Sequence, residues 1–107
     1  MTDNQLLFEA AKAAGIDFSI KGQVPTRFDG KDFIVWNPLT NDGDALRLAV
    51  KLGIKSKFNS ALNQAIAWCG YQQQDIHINV EDYNNDPYAA TRRAIVRAAA
   101  EIGKEMK

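Results

Sequence analysis

The chain is expected to fold as an α+β domain, a short, mostly antiparallel sheet flanked by three helices in an α/β/α sandwich-like arrangement. Three observations predict this. Helical periodicity with start and stop residues occurs over residues 3–14, 41–52 and 86–107. The stretches between are short, rich in β-branched and aromatic residues, and broken by turn signals such as Asp29-Gly30. A chain of 107 residues with 46% hydrophobic side chains suits a single domain, residues 1–107, around one core. At that size roughly 65% of the unfolded surface can be buried, so no covalent staple is needed.

In the first helix, Thr2 and Gln5 have capping-box spacing and Gly15 supplies the stop. Leu6, Leu7, Ala10 and Ala14 share one face, while Phe8 falls on the other with Gln5, Glu9 and Lys12. A loop folding over Phe8 is the structural reading, and a partner contact is the functional one. Residues 16–20 alternate apolar and polar, as a half-buried strand does, until Lys21-Gly22 and Pro25 interrupt them. Asp29-Gly30 is a hairpin signal, because a type I′ turn needs positive φ at both central positions. It precedes the β-rich run Phe33-Ile34-Val35-Trp36, which Asn37-Pro38 ends.

The second helix has capping oxygens at Thr40, Asn41 and Asp42, an acid at Asp44 for the positive first turn, and Gly53 as its stop. Ala45, Leu46, Leu48, Ala49, Val50 and Leu52 cover a wide arc, with only Asp44, Arg47 and Lys51 pointing away. That arc predicts a helix well buried against a sheet. Residues 54–61 fit no single pattern. The runs 62–68 and 75–81 pattern as a hairpin with Leu62, Ile66, Trp68, Ile76, Ile78 and Val80 on the core face. Asn63, Ala65, Ala67, Cys69, Asp75, His77, Asn79 and Glu81 then share the polar face. A helix over 60–68 competes, since Ala and Gln favour it. In the last helix Asp86 caps, Pro87 takes the first position, and Tyr88, Thr91, Ile95, Ala98, Ala99, Ile102 and Met106 form one stripe whose alanines permit close approach to a sheet.

Thirteen basic and thirteen acidic side chains cancel, so net charge points to neither a nucleic acid nor an anionic membrane. The balance tilts mildly along the chain: residues 1–85 hold 8 basic and 10 acidic, residues 86–107 hold 5 and 3. One cysteine, Cys69, excludes an internal disulfide and suits a reducing cytosol. No run approaches the ~18 apolar residues of a membrane span. Nor do the first residues pattern as a signal peptide, so a cytoplasmic location and no membrane partner are expected.

Candidate chemistry is sparse. If Cys69 pairs opposite Asp75, then Cys69, Asp75 and His77 lie together as thiolate, orienting carboxylate and base, the parts of a cysteine nucleophile. One residue of register slip scatters them. Asp75, His77 and Glu81 are too few nitrogen or sulfur donors for a structural zinc site. Asn41-Asp42-Gly43-Asp44 lacks the distant glutamate of a calcium loop. No phosphate-binding glycine loop is present, and no metal or cofactor is expected. Arg93, Arg97 and Lys104, with Arg92 at the edge, line the outer side of the last helix, where they either keep a face solvated or meet phosphate or an acidic surface. Trp36-Asn37-Pro38-Leu39 is either a packed turn or a ligand-binding corner at a helix N-terminus.

Residues 36–53, WNPLTNDGDALRLAVKLG, resemble a stretch typical of the phage ABA sandwich domain family. The ending DPYAATRRAIVRAA, residues 86–99, is similar to that family's closing helix, and the opening helix fits it more loosely. The resemblance implies a small protein of a tailed phage or prophage, with helices flanking a sheet. It implies no activity and no catalytic residues. Residues 54–85 lie outside it. The expected function is that of a non-enzymatic accessory protein binding a host or phage protein, counter-defence being one version. The alternatives are a nucleic-acid binder using the basic face of the last helix and a small enzyme using Cys69 and His77. A homodimer burying Phe8 or a free strand edge is also open.

Overall fold

The computed structural model describes residues 2–70 and 75–106. It has the expected α+β class, in the order α1 (Asp3–Ala14), β1 (Phe18–Lys21), β2 (Val24–Phe28), β3 (Phe33–Val35), α2 (Asp42–Leu52), β4 (Ile54–Asn59), β5 (Gln64–Cys69), β6 (Ile76–Asn79), a 3₁₀ helix (Val80–Tyr83) and α3 (Pro87–Lys104). The strands form two antiparallel sheets of three, β1-β2-β3 and β4-β5-β6, where the sequence suggests one. No described helix is long and apolar enough to cross a membrane.

Helix ends follow the local signals. Thr2 Oγ1 accepts from Gln5 N at 3.2 Å and Gln5 Oε1 accepts from Thr2 N at 2.8 Å, a closed capping box. Asn41 caps α2 by accepting from Asp44 N, and Asp86 caps α3 by accepting from the Tyr88 and Ala89 N–H groups. Gly15 and Gly53 end their helices at φ 70° and 69°, a left-handed conformation that costs glycine little.

α3 is the centre of the molecule. The β4-β5-β6 sheet packs on one side of it and α1 on another, with α2 alongside. It is therefore buried round most of its circumference, at Ala90, Ala94, Ile95, Val96, Ala98, Ala99, Ala100 and Gly103. This differs from a single inward stripe: Tyr88 and Met106, expected inside, are exposed. Alanines on two faces let two neighbours approach at once. At the α1 crossing a Cβ on Gly103 would stand 1.9 Å from Glu9 O, so the two backbones are in direct contact.

α2 departs from its expected burial. Leu46 and Val50 are 65% and 73% exposed, while Asp44 is buried. The helix packs mainly on α3, and a helix neighbour covers a narrower arc than a sheet. Asp44 instead secures the corner before α2: its Oδ2 accepts from Asn37 N at 3.0 Å and its Oδ1 from Arg47 at 2.7 Å. From α3, Arg92 closes the other side by donating to Leu39 O and Asp42 Oδ1.

The first sheet extends from this body as a meander. Lys21↔Val24 closes a two-residue loop in which Gly22 and Gln23 take φ 56° and 71°, so the type I′ turn falls here. Pro25 does not interrupt the sheet, because only its carbonyl is used there, accepting from Trp36 N at 3.0 Å. Asp29-Gly30 does join β2 to β3, with positive φ at Gly30 alone. The Asp29 carboxylate accepts from Asp32 N and Lys31 N at 2.7 and 2.8 Å, and these bonds, Asp32's first, hold it below its ordinary value of 3.8. The folded value lies below the unfolded one, so its support for the turn is present at neutral pH and is lost as pH falls through the folded value. In an acid titration followed by NMR, the Lys31 and Asp32 amide shifts are expected to move together with a midpoint below 3.8. A midpoint above it contradicts these bonds.

In the second sheet the register is Ala67↔Ile76 and Ala65↔Ile78. Ala65, Ala67 and Cys69 are buried in the core with Ile78 and the partly buried Ile76. Ile66, Trp68 and His77 alternate onto the other face, beside Lys55 and Lys57 of β4, where Ile66 is still buried, at 6% exposure, although outside the main core cluster. The core and outer faces of 64–69 are thus exchanged relative to the expected hairpin, and Leu62 is an exposed residue of the β4–β5 turn. The strand 54–59, which had no clear pattern, is an edge strand exposed at most positions.

Candidate functional site

β1 is the outer strand of its sheet. Its hydrogen-bonded partners to β2 are the odd-numbered residues: Asp17 O accepts from Phe28 N, and Lys21↔Val24 closes the turn. Phe18 and Ile20 therefore turn their N–H and C=O groups outward, unpaired among the described residues. The same strand borders a groove, with Phe18, Ser19 and Ile20 in its lining.

The groove, about 670 Å³, runs between α1 and β1 and is walled chiefly by Phe8, Phe18 and Ile20, with Gln5 and Glu9 from α1 and Lys104 at the α3 end. A second hollow of about 270 Å³ shares Phe8 and Phe18 in its lining, with Lys12, Ile16 and Asp17. Each hollow thus carries one lysine and one acid, Lys104 with Glu9 and Lys12 with Asp17, beside its apolar wall. Phe8 is 52% exposed and no described loop covers it. Glu9 Oε2 is buried with no hydrogen-bond partner, and Lys12 Nζ, at 3.9 Å, is too distant for one.

Trp36 is not at a binding surface. It is 3% exposed and meets Phe18 edge to face, ring centroids 5.8 Å apart at 71°. It carries the groove wall on its other side. The sequence signal that could have found the groove was Phe8 on the wrong side of α1 together with Phe18 and Ile20 on the same side of β1. Joining them needed the return angle of the chain at Gly15, which no local pattern contains.

Cys69, Asp75 and His77 are not brought together. The observed register differs by one residue from the Cys69–Asp75 pairing. Cys69 is 3% exposed and its thiol donates to Leu52 O at 3.6 Å, while His77 is exposed on the opposite face. Among the described residues no group of three or more His, Cys, Asp or Glu is placed to hold a metal ion.

Arg93, Arg97 and Lys104 do come together. With Leu6, Tyr83 and Glu101 they line a polar cavity of about 360 Å³. Arg93 is not free on the surface: it is 18% exposed, donates to Asp3 Oδ1 at 3.0 Å and lies over the Tyr83 ring at 4.9 Å. Arg92 is likewise committed to the corner after β3.

Comparison with known proteins finds no matching family model, no matching curated protein and no matching solved structure. The geometry therefore defines a class by itself: a small α+β domain with an open strand edge beside an apolar groove.

Proposed function

We propose that the protein is a non-enzymatic binding module that takes an extended segment of another protein along the free edge of β1. The observation that carries this is the juxtaposition of unpaired Phe18 and Ile20 backbone groups with the Phe8–Phe18–Ile20 groove. An added strand draws affinity from the main-chain bonds and specificity from alternate side chains seated in the groove. Alternation at period two suits an apolar residue against the Phe8–Phe18–Ile20 wall, and the mixed charges beside it, Glu9, Lys12, Asp17 and Lys104, suit polar flanking residues. A cellular setting in phage or prophage, a host or phage protein as the partner, and counter-defence as the outcome rest on the resemblance of residues 36–53 and 86–99 alone.

Selection of peptides from a random display library is expected to return segments with apolar residues at alternate positions. On binding, the Phe18 and Ile20 amides should become protected from hydrogen exchange. Ile20→Asp, at a half-exposed edge position, should weaken binding by about tenfold or more while leaving the fold intact. Phe8→Ser provides a second disruption from the helix side. Selected peptides that bind both variants as well as the parent, or that leave the two amides unprotected, would remove this reading.

A further inference from the structure

We infer that the cavity between α1, the 3₁₀ helix and α3 is a binding site for a terminal phosphate group, with Arg97 as its principal ligand. The inference is independent of the groove, although Lys104 borders both.

Three cations converge on this hollow from one helix: Arg93, Arg97 and Lys104. Arg93 and Arg97 are one turn apart, a like-charge spacing that destabilises a helix unless something lies between them. The opposing acids are Asp3, which pairs with Arg93 at 3.0 Å, and Glu101, which pairs with Lys104 at 3.5 Å. Both acids are substantially exposed, and such surface pairs hold their partners weakly, so an entering anion can displace or share them. Arg97 has no carboxylate within 4 Å among the described residues, and it supplies the uncompensated charge. A guanidinium has five N–H donors in a rigid fork, and Arg93 has committed one of them to Asp3, so both arginines retain donors for phosphate oxygens.

The shape selects the ligand class further. Tyr83 and Leu6 close the hollow, and its volume of about 360 Å³ lies within the roughly 300–1,000 Å³ of small-molecule sites. This accommodates a phosphate together with part of the group that carries it. A nucleic-acid strand would need a track of cations and a free stacking face, but the Tyr83 ring is already covered by Arg93. The shared chemistry is therefore a phosphate monoester, whether borne by a small molecule or by a phosphorylated side chain.

The test is a titration of ¹⁵N-labelled protein with inorganic phosphate at constant ionic strength, read at the arginine Nε–Hε resonances. Saturable shifts at Arg93 and Arg97 are expected. Arg97→Gln, an exposed change that leaves the fold in place, should weaken phosphate by about tenfold. Arg47→Gln, which alters a pair on α2 away from the cavity, should not. Phosphoserine and glucose 6-phosphate then distinguish the source, since the one bound more tightly than inorganic phosphate identifies what carries the group. Absence of saturation, or equal binding by Arg97→Gln and the parent, overturns the site. A single-stranded oligonucleotide that binds at least tenfold more tightly than any monoester, with affinity falling steeply with salt, overturns it in favour of a nucleic-acid contact.

Discussion

Gly103→Val is expected to lower the melting temperature by more than about 10 °C, the loss of about 3 kcal/mol of stability in a domain of this size. The cause is steric and local. At Gly103 an added Cβ would stand 1.9 Å from Glu9 O and 2.7 Å from Glu9 C, both backbone atoms that no rotamer change can move. The helices must separate. Separation disturbs the core to which α1 contributes Leu7 and Ala10 and α3 contributes Ala99 and Ala100, and a gap of under an ångström already forfeits a large part of the dispersion energy. Replacing glycine within a helix would ordinarily favour the helix by up to about 1 kcal/mol, so the net loss is set by packing against propensity, and packing wins. Gly43→Ala is the control. Its Cβ meets the Arg47 guanidinium and the capping Asn41 Oδ1 at 3.2 Å, side-chain atoms that need shift only by a few tenths of an ångström, so the cost should stay within about 1 kcal/mol. Circular dichroism melts of the two variants decide the matter. A Gly103→Val protein that melts within 2–3 °C of the parent, roughly 0.5 kcal/mol, would show that the α1–α3 crossing is looser than described.

Trp36→Ala is expected to cost about 3–5 kcal/mol, the range for emptying a buried aromatic site. A domain of this kind has about 5–15 kcal/mol in all, so the variant should be marginal. The indole lies in the core against Phe18, and Trp36 N closes the end of the β2–β3 ladder on Pro25 O. Because the first sheet has few other attachments to the body, its amides should lose hydrogen-exchange protection before those of α3 do. Trp36→Phe, which keeps an edge-to-face partner for Phe18, should recover much of the loss. If Trp36→Ala left the urea midpoint unchanged while abolishing binding, Trp36 would be a ligand contact after all, and its buried position would be wrong.

Much of the secondary structure was legible because it is encoded by neighbours in the chain. Thr2 with Gln5, Asn41 with Asp44, and Asp86 with Tyr88 and Ala89 satisfy orphan N–H groups within one turn, and Pro87 has none to satisfy, so the helix starts can be read directly. The α1 and α2 stops follow from glycines that alone accept the required φ without cost. Where reading failed, the deciding partner was distant. Ile66 and Trp68 outrank Ala65, Ala67 and Cys69 in apolar area, so periodicity points their face at the core; Ile66 is indeed buried, but on the opposite face of the sheet. The surface they would have met is an alanine-lined helix, and close approach of two small-residue faces placed the smaller side chains inside. That reversal also set the register, and the register separated Cys69 from His77. Similarly, the wide apolar arc of α2 overstated its burial because its main neighbour is a helix.

The candidate sites divide in the same way. The basic cavity was half visible, since Arg93, Arg97 and Lys104 share a face at helical spacing. Its concavity was not, because Tyr83 and Leu6 come from other elements. The groove was visible only as an oddly placed Phe8.

The amino-acid sequence by itself determined the α+β class, the three helices with their caps, and the strand positions next to strong turn residues, all of which depend on interactions spanning a few residues. Only the tertiary structure decided the division into two sheets, the face that β5 buries, and the meeting of Phe8 with the free edge of β1. Those depend on which surfaces pack together across the chain. Packing free energy is collective over distant residues, and no window of local periodicity contains it.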